Sequence, residues 1–120
     1  MNVLIVDDST TMRMLVKRIL RMAGFTGLKL VEADNGIEAL EVVASESPNL
    51  VLSDWNMPEM NGLEFLTELR ESGNDVKFGF VTTESTSEMR LKAKDAGAQF
   101  LIAKPFTPES FEQALRPVLG

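Results

Sequence analysis

Residues 3–10, VLIVDDST, decide the fold, because four apolar residues end abruptly at two adjacent carboxylates, Asp7 and Asp8. Short apolar runs of this kind alternate with longer segments of helical periodicity along the whole chain. That alternation predicts an α/β protein with a doubly wound parallel sheet of five strands and helices on both faces. Strands are predicted over residues 2–7, 29–33, 50–54, 77–82 and 100–103.

Five helices are predicted between and after these strands, over residues 10–23, 36–45, from 62, 85–96 and from 107. Ser9 can cap the first helix and Gly24 can end it, while Thr107 followed by Pro108 marks the start of the last. The fourth should be marginal because its large apolar residues are chiefly Met89 and Leu91. The predicted buried faces comprise Met12, Leu15, Val16, Ile19, Met22 and Ala23 in the first helix, Ile37, Leu40 and Val43 in the second, Leu63, Phe65, Leu66 and Leu69 in the third, and Phe111, Leu115 and Val118 in the last.

Composition narrows the possible chemistry. The chain has 120 residues, enough for one domain over residues 1–120, and its net charge of -6 argues against direct nucleic-acid binding. It contains neither His nor Cys, which excludes an imidazole base, a thiolate nucleophile and the usual ligands of zinc. The apolar runs are too short for a membrane span, and the N-terminus does not resemble a secretory signal. We therefore expect a cytoplasmic monomer that contacts neither nucleic acid nor membrane.

Reactive side chains stand where the predicted strands end. A doubly wound sheet binds ligands beyond the carboxyl ends of its strands, and these ends carry Asp7 with Asp8, Asp54, Thr82 and, just after the fifth strand, Lys104. Two carboxylates about 4 Å apart repel by roughly 4 kcal/mol at an effective dielectric constant near 20, so a positive group should lie among them. Mg²⁺ and Lys104 are the candidates.

A carboxylate beside a cation and an ammonium group is the arrangement that aspartyl-phosphate chemistry requires. Thr82 could hydrogen-bond the new phosphoryl group, and Pro105 biases Lys104 towards an extended or turn geometry, with a cis bond permitted. Simpler interpretations exist for each residue alone. Asp8 could cap the first helix, Asp54 could belong to a turn, Lys104 could be a solvated amine, and Thr82 could serve strand formation.

Four segments give the chain a specific resemblance to a response-regulator receiver domain, closest to the single-domain chemotaxis type: LIVDDSTTMR, LVLSDWNMPEMNGLEFL, FVTTES and AGAQFLIAKPF. The resemblance covers essentially the whole chain and implies the strand order 2-1-3-4-5 of the flavodoxin-like fold. It also implies that Asp54 accepts a phosphoryl group and that Thr82 and Lys104 contact that group. The implied ligands of Mg²⁺ are Asp7, Asp8, Asp54 and the backbone carbonyl of Asn56.

The resemblance further implies a sensor histidine kinase as the phosphohistidine donor and a downstream protein partner, such as the flagellar motor switch or another regulator. It implies self-phosphorylation, and also autodephosphorylation at a rate that Asn56 and Glu84 tune. One position departs from the family pattern: Leu101 stands where an aromatic switch residue is expected on the fifth strand, with Phe100 beside it. Either Leu101 fills the vacated space by a smaller motion than an aromatic ring would make, or Phe100 contributes to the switch. For Phe100, simple packing in the strand is the favoured interpretation.

Several other functions remain to be weighed. A phosphatase of the haloacid dehalogenase type would carry D-x-D at the first strand, where this chain has D-D. A flavodoxin-type module would need a phosphate-binding loop that DDSTTMR does not provide. The remaining alternatives are a receiver-like domain that no longer takes phosphate, a stand-alone phosphate shuttle, and the receiver fragment of a larger regulator.

Overall fold

The structure of the chain, a computed structural model, describes residues 1–83 and 85–119. Strands and helices alternate strictly along it. The strands are Asn2–Val6 (β1), Lys29–Ala33 (β2), Leu50–Ser53 (β3), Lys77–Thr82 (β4) and Phe100–Ala103 (β5). The helices are Thr10–Met22 (α1), Gly36–Glu46 (α2), Gly62–Glu71 (α3), Ser87–Asp95 (α4) and Pro108–Leu119 (α5).

The predicted element bounds agree closely with these. The bounds of β2, β4 and β5 are as predicted, whereas β1 and β3 each end one residue earlier, before Asp7 and Asp54. Helix α1 ends at Met22 rather than Ala23, and α2 continues one residue past its predicted end, to Glu46. Helix α4 is one or two residues shorter than predicted at each end. It begins at Ser87 because Thr86 is its N-cap, whose side chain accepts from the Met89 N–H, and Ala96 is its C-cap.

The five strands form one parallel sheet in the order β2-β1-β3-β4-β5, which confirms the predicted fold class and strand order. Strand β1 lies between β2 and β3, and its last residue, Val6, pairs with Ala33 on one side and Ser53 on the other. Because all strands run in the same direction, their carboxyl ends meet along one edge of the sheet. The residues that follow β1, β3 and β5 are therefore brought together there.

Alternating side chains divide the core into two layers, one on each face of the sheet. Leu4 and Val6 of β1 enter the layer shared with α2 and α3, while Val3 and Ile5 enter the layer shared with α1 and α5. Both faces of β1 are fully covered, so its continuous apolar run is explained.

The predicted buried face of α1 is partly wrong. Val16 and Ala23 are buried as expected, but Leu15 and Met22 are exposed. The buried stripe instead runs through Arg13, Val16 and Leu20, which are spaced by three and four residues. An arginine replaces an apolar residue on this stripe because its aliphatic stem can pack while its guanidinium finds buried acceptors.

The other predicted helix faces agree better with the structure. The prediction that Ile37 of α2 is buried is wrong, because Ile37 is 46% exposed. Val43 is buried and Leu40 is partly buried, as predicted. The faces of α3 and α5 lie against the sheet as predicted, and Thr107 and Ser110 cap α5. Helix α4 buries Ala93 and leaves Leu91 59% exposed, which fits a marginal helix. Within residues 1–83 and 85–119, none of the helices combines the length and apolarity needed to cross a bilayer.

Candidate functional site

The sheet's hydrogen-bond ladder extends one residue past three strands and fixes the backbone of three predicted site residues. The N–H of Asp7 donates to the Ala33 carbonyl, and that of Asp54 donates to the Val6 carbonyl. The N–H of Lys104 donates to the Thr82 carbonyl at 2.9 Å. These residues lie just past the strand ends, yet their backbone N–H groups continue the hydrogen bonding of the sheet.

The Lys104 side chain bridges two of the predicted carboxylates. Its Nζ lies 3.1 Å from Asp7 Oδ2 and 3.3 Å from Asp54 Oδ2, and the Lys104 side chain is only 12% exposed. The interpretation of Lys104 as a solvated surface amine is therefore wrong. The Lys104–Pro105 peptide bond is cis, as the sequence permitted. The residues that follow β1, β3 and β5 thus form one charged cluster.

The remaining oxygens of these two carboxylates accept hydrogen bonds from the backbone. Asp7 Oδ1 accepts from the Ser9 N–H at 2.9 Å, and Asp54 Oδ1 accepts from the Trp55 N–H at 2.7 Å. The two carboxylates are held in defined directions, with Asp54 the more exposed of the pair at 13% against 6%. Ser9 rather than Asp8 caps α1, which overturns the interpretation of Asp8 as a helix cap. Asp8 is exposed at the rim of the cluster.

Three carboxylates come close enough to share a cation. One oxygen from each of Asp7, Asp8 and Asp54 lies within 4.8 Å of the other two. Mg²⁺ binds oxygen at 2.0–2.1 Å in octahedral geometry, which places its ligand oxygens roughly 3 to 4 Å apart. The all-oxygen donor set therefore fits a hard divalent cation such as Mg²⁺.

The loop after Asp54 is tightly packed against its surroundings. A side chain at Gly62 would strike the Asp54 carbonyl oxygen and the Phe80 ring, and the Gly62 N–H donates to the Trp55 carbonyl. At the far side of the loop, the Gly36 N–H donates to the Met60 carbonyl, where a larger residue would also clash. Two glycines thus allow the loop to lie close to both Asp54 and α2.

The other predicted residues lie in different parts of the fold. Thr82 is the last residue of β4 and is fully buried, and Asn56 is exposed in the loop two residues after Asp54. Leu101 pairs with Phe80 across β4 and β5, on the face of the sheet that α3 covers. Phe100 lies on the opposite face, where it is partly buried, its ring covers Gly79 and it packs against the core, which agrees with the interpretation of Phe100 as a strand-packing residue. Glu84 lies outside the described residues.

Sequence reasoning missed one residue beside this cluster, Arg13. Its guanidinium is nearly buried and donates to the Asp7 carbonyl and to Thr10 Oγ1. It also contacts the carboxylates of Glu32 at 2.9 Å and Asp34 at 2.8 Å. The signal was present in the sequence, because Arg13 stands three residues before Val16 on the stripe that packs against the sheet.

Lys17 completes the ion pairs around Arg13. Its Nζ lies 2.6 Å from the second oxygen of Glu32. The hydrogen bond from Lys17, supported by that from Arg13, lowers the pKa of Glu32 despite the opposing effect of burial. The α1 helix is thereby joined to β2 next to the carboxylate cluster.

Comparison with known proteins identifies relatives of the whole chain. Residues 3–116 match the family described as response regulator receiver domain. A chemotaxis protein CheY homolog of Campylobacter jejuni subsp. jejuni serotype O:23/36 (strain 81-176) is 39% identical over 123 residues, covering 100% of this chain and 93% of that protein. Chemotaxis protein CheY1 of Helicobacter pylori (strain ATCC 700392 / 26695) is 37% identical, covering 100% of this chain and 98% of its own length. The structure of Vibrio cholerae chemotaxis protein CheY4, crystallised at low pH, has a TM-score of 0.85 at 34% identity and covers 98% of this chain and 97% of its own.

Proposed function

The chain belongs to the response regulator receiver domain family, and on that premise we propose that residues 1–120 form one receiver domain whose Asp54 accepts a phosphoryl group from a sensor histidine kinase. Receiver domains are phospho-accepting signalling domains, and the relatives that match over the full chain are chemotaxis proteins. The observation that carries the proposal is the contact of the Lys104 ammonium group with Asp7 and Asp54. It supplies positive charge beside a carboxylate that can act as a nucleophile.

Asp54 is the best candidate for the nucleophile among the three carboxylates. Asp7 and Asp54 each accept one hydrogen bond from the backbone and one contact from Lys104, but the Asp7 side chain is the more buried, at 6% exposed against 13%. Asp54 keeps its contact with Lys104 while remaining more exposed. Attack requires both access to the donor and an adjacent positive charge, and Asp54 combines them.

The proposed reaction is a transfer between a histidine nitrogen and a carboxylate oxygen. An Asp54 oxygen forms a bond to phosphorus as the phosphorus–nitrogen bond of the donor phosphohistidine breaks, and the electron pair of that bond stays on the imidazole nitrogen. The Lys104 ammonium group compensates the negative charge on the transferring oxygens. Since the chain has no histidine, the donor imidazole must come from the partner.

Receiver domains generally bind Mg²⁺ at an acidic pocket, and the carboxylate cluster of this chain has the donor set for it. Asp7, Asp8 and Asp54 would hold the ion, with the Asn56 backbone carbonyl as a further ligand. The positive charge that Mg²⁺ supplies when bound neutralises part of the charge on the phosphoryl oxygens. In its absence the cluster carries more negative charge than Lys104 can balance, so phosphorylation should depend on Mg²⁺.

The proposed output is a change in partner binding. Phosphorylation places a phosphoryl group of about -1.5 to -2 charge at the sheet edge, where the buried Thr82 and Lys104, whose N–H donates to the Thr82 carbonyl, can respond. Leu101 would follow by packing against Phe80 rather than by rotation of an aromatic ring. The face formed by α4 and β5 is the candidate partner surface, because α4 buries little and leaves Leu91 exposed. A flagellar motor switch or another regulator would dock there.

Three further expectations belong to this proposal. The acyl phosphate should decay by attack of water, and Asn56 and Glu84 should tune the rate. A small phosphodonor should be able to replace the kinase, since the charged groups that compensate the transferring oxygens belong to this chain. The protein should act as a cytoplasmic monomer.

Incubation with acetyl phosphate tests the proposal. We expect the intact mass of the wild-type protein to rise by one phosphoryl group with Mg²⁺ and not with a chelator, and Asp54→Asn to show no gain. Asp75→Asn is the matched control, because Asp75 is an exposed aspartate away from the cluster, and it should behave like the wild type. Equal phosphorylation of wild type and Asp54→Asn, or none in the wild type, would disprove the assignment.

A further inference from the structure

Arg13 contacts the main chain between two of the carboxylates described above. Its Nη1 donates to the carbonyl oxygen of Asp7, which belongs to the peptide unit that joins Asp7 to Asp8. The orientation of that peptide plane sets the directions in which both side chains leave the backbone. A contact at this carbonyl therefore restrains two carboxylates at once.

We propose that Arg13 is a positioning residue for the Mg²⁺ ligands, an inference that rests on the proposed function. All three nitrogens of its guanidinium are occupied by acceptors from three segments: the end of β1, the first turn of α1, and β2 with the residue that follows it. Arg13 is 8% exposed, so few other conformations are open to its side chain. It links the Asp7 carbonyl to β2 through its contact with Glu32.

Charge alone does not explain this arrangement. Arg13 and Lys17 face Glu32 and Asp34, so the group is formally neutral and adds little net field at the carboxylate cluster. Removing the positive charge of Arg13 would leave the group with a net negative charge. By Coulomb's law that change alone would strengthen the binding of any divalent cation. The positioning role predicts the opposite effect, namely that loss of Arg13 weakens the binding of Mg²⁺.

Lysine cannot replace arginine in this role. The guanidinium is a planar fork whose donors reach several acceptors in fixed directions, whereas an ammonium group is a single centre. Arg13→Lys keeps the charge and loses the geometry, and Arg13→Met keeps much of the stem and loses both. Comparing the two variants therefore separates the effect of the guanidinium geometry from the effect of its charge.

Titration with Mg²⁺ and Ca²⁺ tests the inference, with the fluorescence of Trp55 as the readout. Trp55 is the only tryptophan, and its backbone N–H donates to the Asp54 carboxylate. Replacing residues that hydrogen-bond metal ligands, without contacting the metal themselves, typically changes metal affinity by about 10-fold to 100-fold. We expect the Kd for Mg²⁺ to rise at least about 10-fold in both variants. The Kd for Ca²⁺ should change less, because Ca²⁺ tolerates displaced ligands and Mg²⁺ demands near-octahedral geometry.

Arg70 offers a matched control on the other side of the molecule. It is also partly buried, and it donates to the backbone carbonyls of Asn74 at 2.9 Å and Gly97 at 2.7 Å. Arg70→Lys and Arg70→Met should lower stability while leaving the Kd for Mg²⁺ unchanged. The positioning role is wrong if the Arg13 variants bind Mg²⁺ as tightly as the wild type or more tightly. It is also wrong if the affinities for Mg²⁺ and Ca²⁺ fall by the same factor.

Hydrogen exchange gives a second readout without metal. The Ser9 N–H donates to the Asp7 carboxylate, so its exchange should accelerate in Arg13→Lys and stay unchanged in Arg70→Lys. Unchanged Ser9 exchange in Arg13→Lys would also contradict the inference. The two proposals fail separately: a wild type that binds Mg²⁺ but gains no phosphoryl group from acetyl phosphate disproves the function alone. A wild type that binds no Mg²⁺ disproves both.

Discussion

Replacing Lys104 with methionine should destabilise the metal-free protein strongly and the Mg²⁺-bound protein less. The Lys104 ammonium group lies 3.1 Å from Asp7 and 3.3 Å from Asp54, and the three side chains are 6% to 13% exposed. At about 3.2 Å and an effective dielectric constant near 20, one such pair attracts by roughly 5 kcal/mol before desolvation is subtracted. Removing one partner of a buried pair typically costs about 3–5 kcal/mol, because the other charge is left uncompensated.

Mg²⁺ should recover part of this loss. In the variant, the cation supplies the positive charge that Lys104 no longer provides, so it should bind more tightly than in the wild type. A 10-fold gain in affinity would return about 1.4 kcal/mol at saturating Mg²⁺. The loss of stability in Lys104→Met should therefore be smaller with Mg²⁺ than without it.

Urea unfolding with and without Mg²⁺ measures both effects as free energies of unfolding. Lys92→Met is the control, since Lys92 is 53% exposed and pairs with Glu88 on the surface of α4, and it should change the free energy of unfolding by less than about 0.5 kcal/mol. An equal loss in the two buffers would refute the idea that Lys104 and Mg²⁺ compensate the same carboxylates. A negligible loss in metal-free buffer would refute the buried pairing itself.

Three further outcomes are expected. Gly62→Ala should lower the free energy of unfolding by about 1–3 kcal/mol and weaken Mg²⁺ binding, because the added methyl group strikes the Asp54 carbonyl; unchanged urea midpoints would contradict this. Glu59→Asn should raise the free energy of unfolding by up to about 1 kcal/mol, because Glu59 has a φ of 68°, a conformation that asparagine adopts more readily, and a thermal melt checks it. Glu32 has a lowered pKa, caused first by its hydrogen bond from Lys17, so its stabilising contribution is present above its ordinary pKa of 4.5 and is lost as the pH falls through the lowered value. Glu32→Gln should consequently flatten the acid side of the stability profile, and a profile that keeps the same slope would show that the ion pair contributes nothing.

The sheet edge could be predicted from the sequence because parallel strands impose it. Asp7, Asp54 and Lys104 each follow an apolar run, and alternation of strands and helices brings such positions to one edge. The ladder bonds of these three residues show how the edge is fixed. The prediction needed only strand ends and residue types, and neither depends on detailed packing.

Helix faces were harder to predict, and Arg13 shows why. Helix α1 carries apolar residues around much of its circumference, so spacing alone supports more than one buried face. The face that the structure buries includes Arg13, whose acceptors Glu32 and Asp34 come from a distant part of the chain. Long-range pairing of this kind depends on tertiary structure, and the same limit applies to Ile37, which is apolar but exposed.

The central claim is that Asp54 is the residue that carries the phosphoryl group. Borohydride reduces an aspartyl phosphate to homoserine, so peptide mass spectrometry after treatment with acetyl phosphate, Mg²⁺ and borohydride identifies the phosphorylated position. We predict homoserine at position 54, with Asp7 and Asp8 unmodified. Homoserine at position 7 or 8, or at none of the three, would contradict the account.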